Sequence, residues 1–394
     1  MRYLIPFFDP GVENWAIEAR LVRWLTMVWV FVGLVVLFSA SYPVADAEVG
    51  DGFYYFKRQV IWILLGTSAF NVIARLPFRY TIPISRWFLF LLLGLMAAIL
   101  VPGVGTTVNG ATRWITIASI PIQPSELIKP CLVVQSAAIF GRWRQLPWLT
   151  RGFWLGIFAL ILAGILLQPN LSTTALCGMT LWLMAVAAGL PWWQLGGTAI
   201  SGIALAVSSI YSQEYQRRRV MSFLNPWQDP MQDGYQLIQS LLAIGSGGLT
   251  GSGYGLSQQK LFYLPIQYTD FIFAVFAEEF GFFGSVVLLM LLATYATLAL
   301  VIALKTIQPI HKTIAMGVMI LLVGQSCINI GVATGVLPTT GLPLPFFSYG
   351  GSSIISSLSL AGLLVRVARE SNEAEVVSLK GRGENVFRSP VPDR

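Results

Sequence analysis

Runs of about twenty mainly apolar residues recur along almost the whole of this sequence, and no other feature restricts its fold so tightly. A backbone amide in hydrocarbon must be bonded within its own segment, so a run of that length crosses a bilayer as an α-helix. With 55% hydrophobic and 11% charged residues in 394, the chain has too little polar surface to cover a water-soluble globule. The expected fold is an all-α integral membrane protein with about ten transmembrane helices, over roughly 21–41, 58–74, 85–102, 125–141, 151–168, 171–189, 191–211, 270–304, 312–336 and 350–367. The first run is too long and too poorly punctuated for a cleaved signal peptide and reads as a retained first helix.

Basic residues orient such a bundle, because short cytoplasmic loops collect Lys and Arg. With both termini inside, 17 of the 25 basic residues fall on the cytoplasmic side, among them Arg75, Arg79, Arg142, Arg144 and Arg369. Seven fall outside (Lys57, Arg58, Arg113, Arg217, Arg218, Arg219 and Lys260), and Lys129 sits just inside the fourth helix. The formal charge of +7 is therefore mostly orientation signal, and nucleic acid is not needed to explain it. Cys131, Cys177 and Cys327 lie in expected spans and read as small core residues; no disulfide or metal framework is visible. The only candidate cofactor is a divalent cation.

The chain divides into one polytopic membrane domain, 1–370, and a polar cytoplasmic tail, 371–394, expected to be disordered. One connection is long: residues 212–269, between the seventh and eighth helices, form a large extracytoplasmic loop. Within it Leu237, Ile238, Leu241, Leu242 and Ile244 recur at helical spacing, which suits either a helix on the membrane surface or one packed on the bundle. The glycines of 245–255 fit no nucleotide fingerprint and suggest a close-packed turn.

Every even-numbered helix then begins at the outer face, where free amides and positive dipole ends favour anions. The second begins Lys57-Arg58, cations that need either an anion or lipid phosphate. The fourth carries Glu126 and Lys129 three residues apart on one face, as an ion pair or a functional intramembrane couple. The sixth starts with capping chemistry at Asn170, and the tenth with the small residues Gly350-Gly351-Ser352-Ser353. General acid–base work at this face must fall to a carboxylate, since the only histidine, His311, is cytoplasmic. Asp270 is the one acid flanked by a basic loop and a helix entering the bundle, although a plain helix cap is also open to it. In a continuous helix from 270, Glu278 would be the one further acid able to face the same cavity, and Glu279 would point away.

Several stretches resemble the SEDS proteins, the shape, elongation, division and sporulation family. They are Val108-Asn109-Gly110-Ala111-Thr112-Arg113-Trp114 with Gln123-Pro124-Ser125-Glu126; Tyr215-Gln216-Arg217-Arg218-Arg219; Asn225-Pro226-Trp227; Thr269-Asp270-Phe271; and Gly341-Leu342-Pro343-Leu344-Pro345-Phe346 through Ser352. The matches span about 20–370 in the expected order, and Asn109-Gly110-Ala111 and Asn225-Pro226-Trp227 are more similar to the division branch than to the elongation branch.

The resemblance implies a peptidoglycan glycosyltransferase that polymerises lipid II into β-1,4-linked glycan at the outer face of the bacterial cytoplasmic membrane, at the septum. Its implied partners are a class B penicillin-binding protein that crosslinks the product and other division membrane proteins. By the same resemblance Asp270 is the catalytic carboxylate, and Arg58, Arg113, Glu126, Lys129, Arg217, Arg219, Lys260 and Ser352 fall at substrate-binding positions. The chain departs from the family at Asn170, where an Asp is common, and at Ile266 and Tyr268, where a Glu and a His are common.

A polyprenyl pyrophosphate is already a good leaving group, so the expected mechanism is inverting: one carboxylate as base and cations to stabilise the departing pyrophosphate. Two other readings compete, a lipid II flippase using Glu126, Lys129 and Glu278, and a noncatalytic division scaffold.

Overall fold

The computed structural model of the protein describes residues 15–108, 111–117 and 120–386. Helices stand at the expected places: α1 Ile17–Val49, α2 Tyr54–Arg75, α3 Phe78–Ile99, α4 Pro124–Phe140, α5 Trp148–Leu167, α6 Leu171–Ala187 and α7 Trp192–Ser212. The long loop contains α8 Glu214–Leu224 and α9 Tyr235–Ser246. Then come α10 Ile272–Lys305, α11 Pro309–Met319, a π-turn at Ile320–Gly324, α12 Gln325–Ala333 and α13 Gly351–Val386.

The helix starts follow local chemistry. Pro77, Pro147 and Pro191 immediately precede α3, α5 and α7, and Pro124 and Pro309 open α4 and α11, where a missing N–H costs nothing. Asn170 caps α6 by accepting from the Thr173 amide.

Among the described residues, seven helices are long and apolar enough to cross a membrane: α1, α3, α5, α7, α10, the joined α11–α12, and α13 as far as Asn372. The 17-residue α4 and α6 rise only about 25 Å, short of the ~30 Å hydrocarbon core. Burial ranks the helices within the bundle. In its most apolar stretch α13 is 83% buried and α7 only 6%, so α13 is the central post and α7 a peripheral helix.

Close approach around α13 depends on small residues, as helix packing in lipid requires. A Cβ on Gly66 of α2 would lie 2.6 Å from a Leu358 methyl, and one on Gly362 of α13 would lie 2.9 Å from the Phe70 carbonyl. Cys131 and Cys177 are core residues as expected, but Cys327 is exposed on the outer surface of α12.

α10 is not the single straight helix that its length suggests. It breaks at Gly281, which takes φ +65°. The break frees backbone groups, and the glycine-rich loop takes them: Ser252 and Gly253 amides donate to the Glu278 and Glu279 carbonyls, while Phe282 and Phe283 amides donate to the Gly248 and Leu249 carbonyls. Irregular backbone at this depth is stable only with such internal partners. The approach is possible because Gly251 and Gly281 lack side chains; a Cβ on Gly281 would sit 2.3 Å from the Gly251 nitrogen. The close-packed turn expected at 245–255 is therefore the wedge that divides α10.

One alternative left open by the sequence is decided, and one expectation is revised. The amphipathic helix α9 packs on the bundle, with Leu237, Ile238, Ser240 and Ala243 buried and the Ser240 hydroxyl donating to the Ala333 carbonyl. α13 runs on to Val386, through residues expected to be disordered, because no proline intervenes before Pro390 and Glu, Ala, Leu and Lys sustain a helix there. The remainder of that tail, 387–394, lies outside the described residues.

The fold is also not purely helical. The loop after α3 forms a small antiparallel sheet, β1 Thr106–Val108, β2 Ala111–Ile117 and β3 Ile120–Ile122, in the order β1-β2-β3. Asn109 and Gly110 lie outside the described residues, and an Asn-Gly dipeptide is a strong two-residue hairpin signal in sequence.

Candidate active site

Asp270 occupies the short connection between the end of the long loop and α10. It does not cap that helix: α10 begins at Ile272 behind Phe271, and no side chain caps it. The alternative role open in the sequence is thereby removed, and the reason for an acid here must be sought elsewhere.

Three consecutive carbonyls hold the segment. The Tyr349 amide donates to the Tyr268 carbonyl at 2.9 Å, the Ser348 hydroxyl to the Thr269 carbonyl, and the Asn329 side-chain amide to the Asp270 carbonyl at 2.8 Å. The preceding turn closes from the Thr269 amide to Ile266, which adopts φ +57°. A β-branched residue is strained in that left-handed region, the kind of cost that persists only where surrounding contacts impose it. Gly341 passes so close that a Cβ there would lie 3.4 Å from Asp270 Oδ2.

The Asp270 side chain keeps partial access to solvent within this crevice. Burial raises its carboxyl to about 6, against the opposing pull of Arg219, Arg113 and the Thr269 side chain. A carboxylate with that affinity for a proton is mostly ionised near neutral pH yet basic enough to accept a hydroxyl proton.

Two cations converge on it from distant elements. Arg113 is carried by β2 and donates to the Gln168 carbonyl at 3.0 Å and to the Pro169 carbonyl, which anchors the sheet over the α5–α6 turn. Arg219 is carried by α8, lies 4.6 Å over the Tyr215 ring and donates to the Thr339 carbonyl at 3.2 Å. Burial lowers the Arg113 guanidinium from its ordinary value, Tyr215 and Asp270 opposing the shift and Arg219 adding to it. The cluster is therefore Asp270 and Arg113 with Arg219 and the Tyr215 ring it lies over. Tyr215, four residues before Arg219 on α8, supplies the ring under it, a pairing that the motif alone does not reveal.

The other expected site residues are placed differently. Arg217 sits ~200° around α8 from Arg219 and lines a separate shallow crevice with Asn225, Pro226, Asp229 and Asp233. Arg58 lies 4.8 Å over the Tyr54 ring and opposes the rise that burial gives the Tyr349 hydroxyl, beside the stacked pair Tyr55 and Tyr268 at 4.7 Å. Ser352 accepts the Gln123 amide at 2.9 Å and so joins the sheet loop to the start of α13.

Lys129 and Glu126 form a buried ion pair of 2.6 Å, with Lys129 also bonded to Gln325 at 3.0 Å. Lys260 is likewise buried, on Glu279 at 2.7 Å and Ser39 at 2.8 Å, and so clips the long loop to α1 and α10. Neither lysine is an open phosphate donor.

Glu278 does not share a cavity with Asp270. Asp270 stands before Ile272, outside the helix, so the helical phase that such a geometry assumed between the two acids does not apply. Its carboxylate instead accepts the Ser257 hydroxyl and the Gln258 and Gln259 amides. Among the described residues no group of three or more His, Cys, Asp or Glu is arranged to hold a metal.

Sequence reasoning also missed Gln325 and Asn329. Their signal was present: two amide side chains four residues apart inside an apolar helix.

A many-helix membrane protein with a half-buried carboxylate under the influence of two arginines is the class that this fold and site define. A family model described as cell cycle protein, for FtsW, RodA and SpoVE, matches residues 19–373. The chain is 57% identical over 379 residues to a probable peptidoglycan glycosyltransferase FtsW of Synechocystis, with 96% of each chain covered. It is 49% identical to a putative peptidoglycan glycosyltransferase FtsW of Mesostigma viride, covering 98% of this chain and 93% of that one.

Among solved structures, a chain from a peptidoglycan synthase complex, solved for its coordination of polymerization and crosslinking, superposes with a TM-score of 0.72 at 28% identity, covering 91% and 98%. The rod shape determining protein RodA of Thermus thermophilus superposes at 0.67 and 27%, covering 92% and 99%. The chain belongs to the FtsW/RodA/SpoVE family.

Proposed function

We propose that this protein is an inverting peptidoglycan glycosyltransferase that polymerises lipid II, with Asp270 as general base. The observation that carries the reading is the half-buried Asp270 carboxyl, raised to about 6 by burial against the pull of Arg219 and Arg113, on a segment whose carbonyls are held by Tyr349, Ser348 and Asn329.

Asp270 takes the proton of the acceptor sugar hydroxyl as its oxygen attacks C1 of the donor. The C1–O bond to pyrophosphate breaks, and the leaving group departs with the electron pair. Arg219 and Arg113 meet its growing charge, since guanidinium forks match phosphate oxygens. Attack opposite the leaving group inverts C1 and turns an α-linked donor into a β-linked glycan.

A flippase would move its charges during transport. Glu126 and Lys129 are instead paired with each other, and Glu278 is committed to three loop donors. The related synthase complex coordinates polymerization with crosslinking, which supports a crosslinking partner for this chain; the reading assigns that part to a class B penicillin-binding protein, with septal division as the setting.

Ten helices cross the cytoplasmic membrane in this reading, with both termini inside and 212–269 outside. A cysteine introduced at Gln232 is then labelled from outside and one at Glu384 is not. Glycan synthesis from lipid II by the purified chain in detergent, with no second compartment, tests the enzyme reading. Transport without polymer would favour the flippase instead.

A further inference from the structure

We propose that Asn329 and Gln325 are positioning residues for Asp270, and that Lys129 acts on the reaction through Gln325 instead of touching substrate. The inference rests on the reading of Asp270 as the base.

Both amides lie on α12 directly after the π-turn at Ile320–Gly324, one helical turn apart and so on one face. Single π-turns within helices recur at functional sites because they re-aim the side chains that follow. Asn329 divides its two N–H donors between the Asp270 carbonyl and the Leu342 carbonyl, each at 2.8 Å. Gln325 donates to the next carbonyl, Pro343, at 2.7 Å and accepts from Lys129.

The chain of contacts therefore runs Glu126, Lys129, Gln325, Pro343, then Leu342, Asn329 and Asp270. It fixes the 341–343 segment that packs on the Asp270 carboxyl at Gly341. Lys129 is 2% exposed, and its bonds to Glu126 and Gln325 orient the Gln325 amide so that its N–H faces Pro343. An amide has one donor end and one acceptor end, so a cation on the acceptor side fixes which way it points. Ser348 continues the clasp by accepting the Leu344 amide while its hydroxyl donates to Thr269.

The test uses the full chain purified in detergent with lipid II as substrate. The variants are Asn329→Leu, Gln325→Met, Lys129→Met paired with Glu126→Gln so that no buried charge is orphaned, the combination of that pair with Gln325→Met, and Asp270→Asn in parallel. Positioning predicts that kcat falls ~10- to 100-fold in the first three, because small misplacements of a reacting group cost that much. KM for lipid II stays within ~twofold of the parent.

The combined variant should be no worse than its slower component, as expected for residues acting in one chain. The acid limb of the rate profile, set by Asp270 facing Arg113, Arg219 and Thr269, should move in Asn329→Leu. A merely structural defect would scale the curve without moving it.

Should Asn329→Leu fail to elute as a folded species, Gln325→Met decides, since it leaves the Asp270 carbonyl bond intact. Wild-type rates in Asn329→Leu or Gln325→Met, or a raised KM with unchanged kcat in the Lys129 pair, overturn the inference. An active Asp270→Asn overturns the underlying base assignment instead.

Discussion

Asp270→Asn protein is expected to fold, insert and bind its partner, and to make glycan ~10²- to 10⁴-fold more slowly than wild type, the usual cost of removing a general base. The substitution keeps shape and leaves the Asn329 bond untouched, because that bond is to the Asp270 main-chain carbonyl. No helix cap is lost either, since α10 starts behind Phe271.

In the wild type the rate should rise with pH through about 6, as the carboxyl ionises. Stability should move the other way. A carboxyl raised in the folded state contributes stability that is present below its ordinary value and lost as pH rises through about 6. Above pH 6 the Asn variant should therefore melt no lower than wild type. Equal polymerisation rates for the two purified proteins, or a clear fall in melting temperature for the variant at pH 7.5, would contradict the assignment.

Arg219→Ala should lower kcat ~10²- to 10³-fold, the scale seen when one preorganised donor to a developing charge is removed. Arg219 also pulls the Asp270 carboxyl down, so its loss should move the acid limb to higher pH. Arg219→Lys should rescue poorly, because an ammonium lacks the planar fork that stacks on Tyr215. Arg113→Ala should shift the limb in the same direction while also loosening the sheet from the Gln168 and Pro169 carbonyls. Arg217→Ala, on the far side of α8, should change the rate little. Steady-state kinetics across pH 5 to 9 separate these outcomes, and a larger loss at Arg217 than at Arg219 would refute the division of labour on α8.

The sequence by itself determined the membrane environment, the placement of the long helices and the choice of Asp270 as the candidate carboxylate. Those signals are local: a run of apolar residues, a proline at a helix start, or a motif read within a few positions. The tertiary structure decided which charged residue does which work. The resemblance put Lys129 and Lys260 at substrate-binding positions, yet each finds a buried acid that satisfies it.

Arg217 and Arg219 are neighbours in sequence and opposites on a helix. The break in α10 at Gly281 follows from a loop wedged against it, which no window along α10 contains. Asn329 reaches Asp270 across 59 positions and Gln325 reaches Lys129 across 196. Hydropathy is additive along a chain and survives without contacts, whereas a side chain's partner is chosen from whatever folding brings within hydrogen-bond reach; the first was therefore written in the sequence, and the second existed only once the bundle closed.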